Sequence, residues 1–344
     1  MQRCVWILAI VAACQQEHHN VEKLLVMSLR APFVGEAQRA AISDVDGDGK
    51  NEIVLVDAKE IRAVRLEGPY VASAPIDAGV NVLVTAGRFI YVGFGQSREH
   101  MDAKARVSRF HVDGGKLIEE VVLAPETSRQ EITSIVPFDD SVLISYFDSK
   151  YMVTTVTVTN GQVSPVAQIR MATSWERGDV DGDGKPDLVV GRLYGDEMGV
   201  EGDAFVLGPD GTRTPIPTTR GLRSLAIMGG DIYMGDGWHH NYAASGKGLL
   251  TRVHHDASGF KSDLVEDTKE QYSIAKILPA KLAGGPALVT LGNAYVRVFE
   301  RWHGHWTGTT ISSGAVRDIA VGKLNGPDDE ILIVGETSKI VSLR

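Results

Sequence analysis

Two short stretches place carboxylates at alternate positions among glycines: SDVDGDGKNEIVLVD at residues 43–57 and GDVDGDGKPDLVVG at residues 178–191. Both read D-V-D-G-D-G-K-x-[DE] and run directly into an apolar segment. The chemistry this spacing can do is capture of a hard divalent cation. Calcium takes about six to eight oxygen ligands at about 2.3–2.6 Å. Acids at the first, third and fifth positions converge only where the backbone bends sharply. Gly47, Gly49, Gly182 and Gly184 allow the positive φ that such a bend requires. Carboxylates crowded in this way repel one another unless a cation sits among them. An EF-hand opens with the same letters but needs a bidentate Glu at its twelfth position. Here that position is Leu55 in one copy and Val190 in the other, and the residues that follow have the pattern of strands.

The elements that would carry these loops repeat along the chain. Asp44 and Asp179 are 135 residues apart. Two echoes keep the glycines and the apolar run but not the full acid set: AKLAGGPALVTLG (280–292) and GKLNGPDDEILIVG (322–335). Residues 80–95, 132–148 and 223–237 keep the same rhythm of strand, turn and apolar strand. Counted together, units start near residues 40, 80, 132, 171, 221, 272 and 314. A period of about 40 to 50 residues with short strands and Gly/Asp/Asn turns marks a β-propeller. IRAVRL (61–66), VTTVTVTNG (153–161) and YVRVFE (295–300) have the β-branched and aromatic content of strands. Ile53–Val56 and Leu188–Val190 are continuously apolar, as inner strands buried on both faces would be. VEKLLVMSLR (21–30) precedes the first unit, while the last unit supplies only three strands, near 317–322, 330–334 and 339–343. Pairing the two closes a ring and removes a sheet edge. The expected fold is all-β: a seven-bladed β-propeller over residues 21–344, with the N-terminal strand closing the last blade.

In these loops and this rhythm the chain resembles the FG-GAP or VCBS repeat proteins, whose calcium-binding blades also build the integrin α-subunit propellers. The resemblance covers residues 21–344 as architecture, and only the two loops at the level of residues. It implies calcium held by Asp44, Asp46, Asp48 and Glu52 with the Lys50 carbonyl in the first loop. In the second it implies Asp179, Asp181, Asp183 and Asp187 with the Lys185 carbonyl. About two ions are expected, structural in role because a cation wrapped wholly by protein has no open position. The sixth and seventh units have Lys281 and Ala283, and Lys323 and Asn325, where acids would stand. They are expected to turn without metal.

The first residues, MQRCVWILAIVAAC, read as a targeting segment. Arg3 supplies a positive end, and the apolar stretch from Val5 to Ala13 is too short to span a bilayer. It ends in Val11-Ala12-Ala13-Cys14, which resembles a bacterial lipobox. The expectation is a signal peptide over 1–13, lipid on Cys14 and a polar tether over 14–20. Gln15 after the cysteine, by similarity to Gram-negative lipoproteins, implies anchoring at the outer membrane of the cell envelope. Cys4 and Cys14 are the only cysteines of the 344 residues, so the folded part has no disulfide and no thiol chemistry. A net charge of −9 without clustered lysine or arginine excludes nucleic acid as a main partner. Membrane contact is expected through the lipid only.

Three connections are long: 93–105, 191–204 and 235–248. All follow the second strand of a unit and would gather on one rim, where rigid scaffolds commonly carry binding. Trp238, His239, His240, Asn241 and Tyr242 combine aromatic faces with polar tips, and Tyr194, Asp196 and Arg98 would converge on them. Such a cluster suits a sugar ring or a protein hot spot. No G-x-S-x-G, H-E-x-x-H or phosphate loop is present. The function expected is a calcium-stabilised, lipid-anchored envelope module that binds or assembles a protein or glycan. The alternative is a carbohydrate-active hydrolase or lyase using acids or histidines of the same loops.

Overall fold

Runs of β-branched residues bounded by glycine and aspartate turns set the elements, and the structure is all-β. The computed structural model describes residues 24–28, 37–66, 68, 70–196, 200–218, 221–236, 248–267, 273–292, 295–324, 326–336 and 338–343. Cys14 and the tether, and Trp238, His239, His240, Asn241 and Tyr242, lie outside them.

The chain opens on β1 (Leu24–Ser28). The first meander is β2 (Arg39–Ser43), β3 (Glu52–Val56), β4 (Glu60–Val64) and β5 (Tyr70–Pro75). The second is β6 (Gly79–Ala86), β7 (Phe89–Gly95), β8 (Arg106–Asp113) and β9 (Lys116–Leu123). The third is β10 (Ile132–Phe138), β11 (Ser141–Phe147), β12 (Met152–Thr159) and β13 (Gln162–Arg170). The fourth is β14 (Ala172–Gly178), β15 (Asp187–Arg192), β16 (Ala204–Leu207) and β17 (Arg213–Ile216). The fifth is β18 (Leu222–Met228), β19 (Asp231–Asp236), β20 (Leu249–Asp256) and β21 (Gly259–Asp267). The sixth is β22 (Lys276–Leu282), β23 (Gly285–Leu291), β24 (Tyr295–Trp302) and β25 (His305–Ser313). The chain ends on β26 (Val316–Gly322), β27 (Glu330–Gly335) and β28 (Lys339–Leu343). β1 pairs antiparallel with β28, Leu24 opposite Leu343 and Ser28 opposite Lys339, and so completes the last sheet. Each meander is a separate four-stranded sheet, except that the first two share one sheet through a single parallel pair, Ser73 opposite Lys116.

The first strands β2, β6, β10, β14, β18, β22 and β26 neighbour one another in that order, and β26 returns to β2. The core is divided to match, with an apolar cluster between each sheet and the next and a second, smaller one between the third and fourth. At the closing contact Ile42, Ile53 and Leu55 of the first meander pack on Ala320, Leu332 and Val334 of the last. Burial is highest in the second strands and low in the outermost. β3 and β27 are buried at every residue, whereas β13 is mostly exposed. Two expectations change here. Ile53–Val56 and Leu188–Val190 belong to second strands, which have a neighbouring sheet on both faces; the innermost strands are the first ones. The sixth meander begins at Lys276 and not near 272.

Five first strands carry a bulge near their start, at Asn81, Thr133, Thr173, Arg223 and Arg317. A bulge bends its strand and re-aims the residue beside it. The residue after it in several meanders reaches to the next sheet. Ser174 Oγ donates to the Arg223 carbonyl at 2.8 Å, and Ser224 Oγ to the Ile274 carbonyl at 2.7 Å. Asp318 Oδ2 accepts the Ala40 N–H at 2.9 Å across the closing contact. Lys276 occupies the corresponding place in β22, and its Nζ donates to Asp318 Oδ1 at 2.8 Å.

The first strands enclose a cavity of about 540 Å³. Its lining includes Ala41, Val84, Val136, Leu278, Ala320 and a single acid, Glu176. Among the described residues the Glu176 carboxyl has no hydrogen-bond or ion-pair partner, and burial pushes its pKa up to about 7. Its unfolded value is near 4.5, so the folded state holds an extra proton between these limits. The stability linked to this proton is complete below pH 4.5 and is lost as pH rises through about 7. Glu176→Gln is therefore expected to be more stable than the parent at pH 8, by on the order of 2 kcal/mol, and level with it at pH 4. Urea unfolding at the two pH values checks this; an equal difference at both would show that folding does not raise the pKa of Glu176.

Candidate metal centres

Both acidic loops join the first strand of a meander to its second, β2 to β3 and β14 to β15. They have the same internal bonding. Asp44 Oδ1 and Oδ2 accept the N–H groups of Gly47 and Gly49, at 2.7 and 3.0 Å. Asp179 does the same for Gly182 and Gly184, at 2.8 and 3.0 Å. Asp46 accepts from Asp48 N–H and Asp48 from Lys50 N–H; Asp181 accepts from Asp183 N–H and Asp183 from Lys185 N–H. The last acid closes each loop, Glu52 Oε2 on Val45 N–H at 3.1 Å and Asp187 Oδ2 on Val180 N–H at 3.0 Å. The four glycines have φ of 78° and 87° in the first loop and 81° and 83° in the second, conformations that cost other residues strain.

Carboxylate oxygens converge in both loops. Those of Asp44, Asp46 and Asp48 lie within 4.8 Å of one another, as do those of Asp179, Asp181 and Asp187. Glu52 and Asp183 are outside these mutual sets. Burial, and then the charges of Asp46 and Asp48, raise the pKa of Glu52; burial, and then Asp181 and Asp183, raise that of Asp187. Both directions come first from burial, with the neighbouring carboxylates adding to it. Glu52 is 0% exposed and its Oε1 makes no hydrogen bond. A buried carboxylate oxygen without a hydrogen bond, in the same loop as three converging carboxylates, is a donor set that fits a hard divalent cation.

The two loops differ in what surrounds them. Arg65 enters the first: its Nη2 donates to Asp46 Oδ2 at 2.8 Å and Asp48 Oδ2 at 2.7 Å, and its Nε is 3.5 Å from Glu52 Oε1. The charge of Asp48 is the largest cause of its raised pKa. The ion pair described at the second loop is the exposed Lys185 Nζ, 3.7 Å from Asp183 Oδ2. The turn of the sixth meander has no acid of its own and is tied to the last meander, Lys281 N–H donating to Asp329 Oδ2 at 2.7 Å.

On the long-loop rim the candidate ligand residues serve the loops themselves. Asp196 accepts from Arg192 Nη1 at 2.6 Å, and Arg192 also binds Asp203 through Nε and Nη2. Tyr194 forms an isolated bridge with Glu201 and packs on Phe147, Val153 and Met171. Arg98 is exposed, while His100 Nε2 lies 3.2 Å from the Ala58 carbonyl and docks its loop on the first meander. Trp175 is core, its Nε1 donating to the Ala172 carbonyl at 2.8 Å. Arg65, Glu176 and the Lys276–Asp318 pair were not singled out by the sequence. Superposing the two repeats beyond their loops would have set Arg65 apart.

No protein-family model matches the chain, and no curated protein matches it. Solved structures do. The computationally designed protein Ika8 is 13% identical with a TM-score of 0.51, over 92% of this chain and 98% of that one. The extracellular domain of BT4673 from B. thetaiotaomicron is 11% identical with a TM-score of 0.56, over 93% of this chain and 40% of that one. Saccharomyces cerevisiae Sqt1 is 11% identical with a TM-score of 0.55, over 88% and 83%. At these identities the likeness concerns the fold alone.

Proposed function

We propose that the chain is a seven-bladed β-propeller of the FG-GAP/VCBS kind, braced by calcium in its two acidic loops and tethered through lipid on Cys14 to the bacterial envelope. It acts there as a binding or assembly module for a protein or glycan. The observation that carries this reading is the second loop: it repeats the internal bonding of the first, and its acids converge with an exposed lysine as the one cation described against them. The closed circuit of first strands and the pairing of β1 with β28 support the propeller count. The lipid anchor rests on the sequence of residues 1–14, and the ligand face on the three long connections of one rim. A hydrolase or lyase needs two carboxylates about 5 to 10 Å apart in one pocket. In the central cavity Glu176 stands alone, and Asp318 is committed to Lys276 and two backbone N–H groups.

The test is capture from envelope extracts, with and without a calcium chelator. The parent chain is expected to retain a specific protein or glycan only in calcium. Joint substitution Trp238→Ala and Tyr242→Ala is expected to abolish retention while leaving the melting temperature unchanged. Retention that survives both substitutions, or turnover of a glycan by the parent, would contradict the assignment.

A further inference from the structure

Cross-strand register places Arg65 and Gly208 at the same point of two repeats. Val64 lies opposite Ile53, and Leu207 lies opposite Leu188. The residue after each, Arg65 or Gly208, therefore stands beside the last acid of its loop, Glu52 or Asp187. A second substitution runs the same way. The next meander lays a two-residue turn against each loop, Gly87-Arg88 on the first and Gly229-Gly230 on the second. A Cβ built on Gly47 would lie 2.8 Å from Arg88 Cδ, whereas one built on Gly230 would lie 3.5 Å from the Asp179 carbonyl oxygen. Two arginines at the first loop are thus two glycines at the second.

The consequence is electrostatic. A guanidinium already bridging Asp46 and Asp48 holds part of the charge that a divalent cation would otherwise collect. It does so incompletely, because Glu52 Oε1 is buried and makes no hydrogen bond, with Arg65 Nε no nearer than 3.5 Å. Arg65 is 37% exposed at its side chain, so it can swing into solvent without disturbing the core. No such competitor occupies the second loop among the described residues.

We propose that Arg65 is a resident counter-ion of the first loop, so that the two loops fill in order: the second takes a divalent cation unopposed, and the first only as Arg65 is expelled. This rests on the reading that the loops bind calcium, and it makes the first loop the one that responds to changes in calcium level. Arg65 is a positioning residue here, an internal ligand competing for the same oxygens.

Calorimetric titration of the full chain, stripped of metal and titrated with calcium chloride, tests it. The parent is expected to show two phases, the second weaker by about 5- to 150-fold, the usual span of a coupling between competing ligands. Asp181→Asn in the second loop should delete the tight phase and leave the weak one. Arg65→Gln, and Arg65→Gly to match Gly208, should tighten the weak phase until the two merge. Circular dichroism of each variant reports whether it is folded. Two equal phases in the parent, unchanged by Arg65→Gln, would overturn the order of filling while leaving calcium binding intact. Loss of the weak phase with Asp181→Asn would reverse the assignment and also overturn it. No heat from any form would remove both the proposal and the calcium reading beneath it.

Discussion

Replacing Asp318 by alanine is expected to lower stability by about 3 kcal/mol, the largest effect of any single polar substitution in the circuit. Asp318 is 3% exposed and stands where the last sheet meets the first. Its Oδ1 accepts from Lys276 Nζ at 2.8 Å and from its neighbour Ile319 N–H at 2.9 Å. Its Oδ2 accepts from Ala40 N–H at 2.9 Å. One carboxylate therefore joins the sixth, last and first meanders. Removing it takes the carboxylate from two buried N–H groups and from a partly buried ammonium that keeps only the Ile319 carbonyl, at 2.8 Å, among its described acceptors, and buried orphans cost more than the bond itself returned. Lys276→Ala should cost less, because Asp318 keeps both backbone donors and Lys276 is 29% exposed at its side chain. The double variant Asp318→Ala with Lys276→Met should recover part of the loss, since the orphaned charge is gone. Denaturant unfolding is the measurement: the midpoint should fall with the slope unchanged. A loss below about 1 kcal/mol for Asp318→Ala would mean that apolar packing closes the circuit without this residue.

The second large effect belongs to calcium itself. A cation that binds only the folded chain stabilises it by about 4 kcal/mol at a thousand times its dissociation constant, per site. For a chain of this size that corresponds to a rise of roughly 6 °C in melting temperature. Chelation should remove the whole of it, and Asp181→Asn should remove the share of the second loop. The apo loops are the reason for the size of the response. Burial and neighbouring carboxylates raise the pKa of Glu52 and Asp187, so both acids are destabilised as anions until a cation arrives. Magnesium is expected to substitute poorly, because it holds its waters and demands a near-octahedral shell. An identical melting temperature in calcium and in chelator would leave the loops as solvated acidic turns.

Much of this molecule is visible in its sequence because its structure is repetitive and local. Turns of Gly, Asp and Asn mark the strand ends, and the two copies of D-V-D-G-D-G-K fix their own backbone through bonds spanning no more than seven residues. The strand near residues 21–30 could be placed against the last unit because that unit lacked a fourth strand. What stayed hidden depends on register or on sheets meeting across the circuit. Arg65 reaches Asp46 from 19 residues away through the pairing of β3 with β4. Lys276 and Asp318 meet over 42 residues, and Ala40 and Asp318 over 278. Glu176 is one letter in ATSWERG, and becomes unusual only as the single acid among the residues that line the cavity. Asp196 and Tyr194 stood out as surface residues in the sequence, but Arg192 and the Met171 cluster engage them, contacts that no spacing rule reveals.

In the proposed function, divalent ions in acidic hairpins brace a closed circuit of seven sheets. A crystal structure of the full chain grown in calcium chloride, with anomalous data, tests that claim most directly. The account predicts seven four-stranded sheets around one cavity and an anomalous peak in the second loop, about 2.3–2.6 Å from the oxygens of Asp179, Asp181 and Asp187. A second, weaker peak should appear in the first loop, with Arg65 turned away. A second loop without density at saturating calcium, or a circuit closed by any other number of sheets, would contradict it.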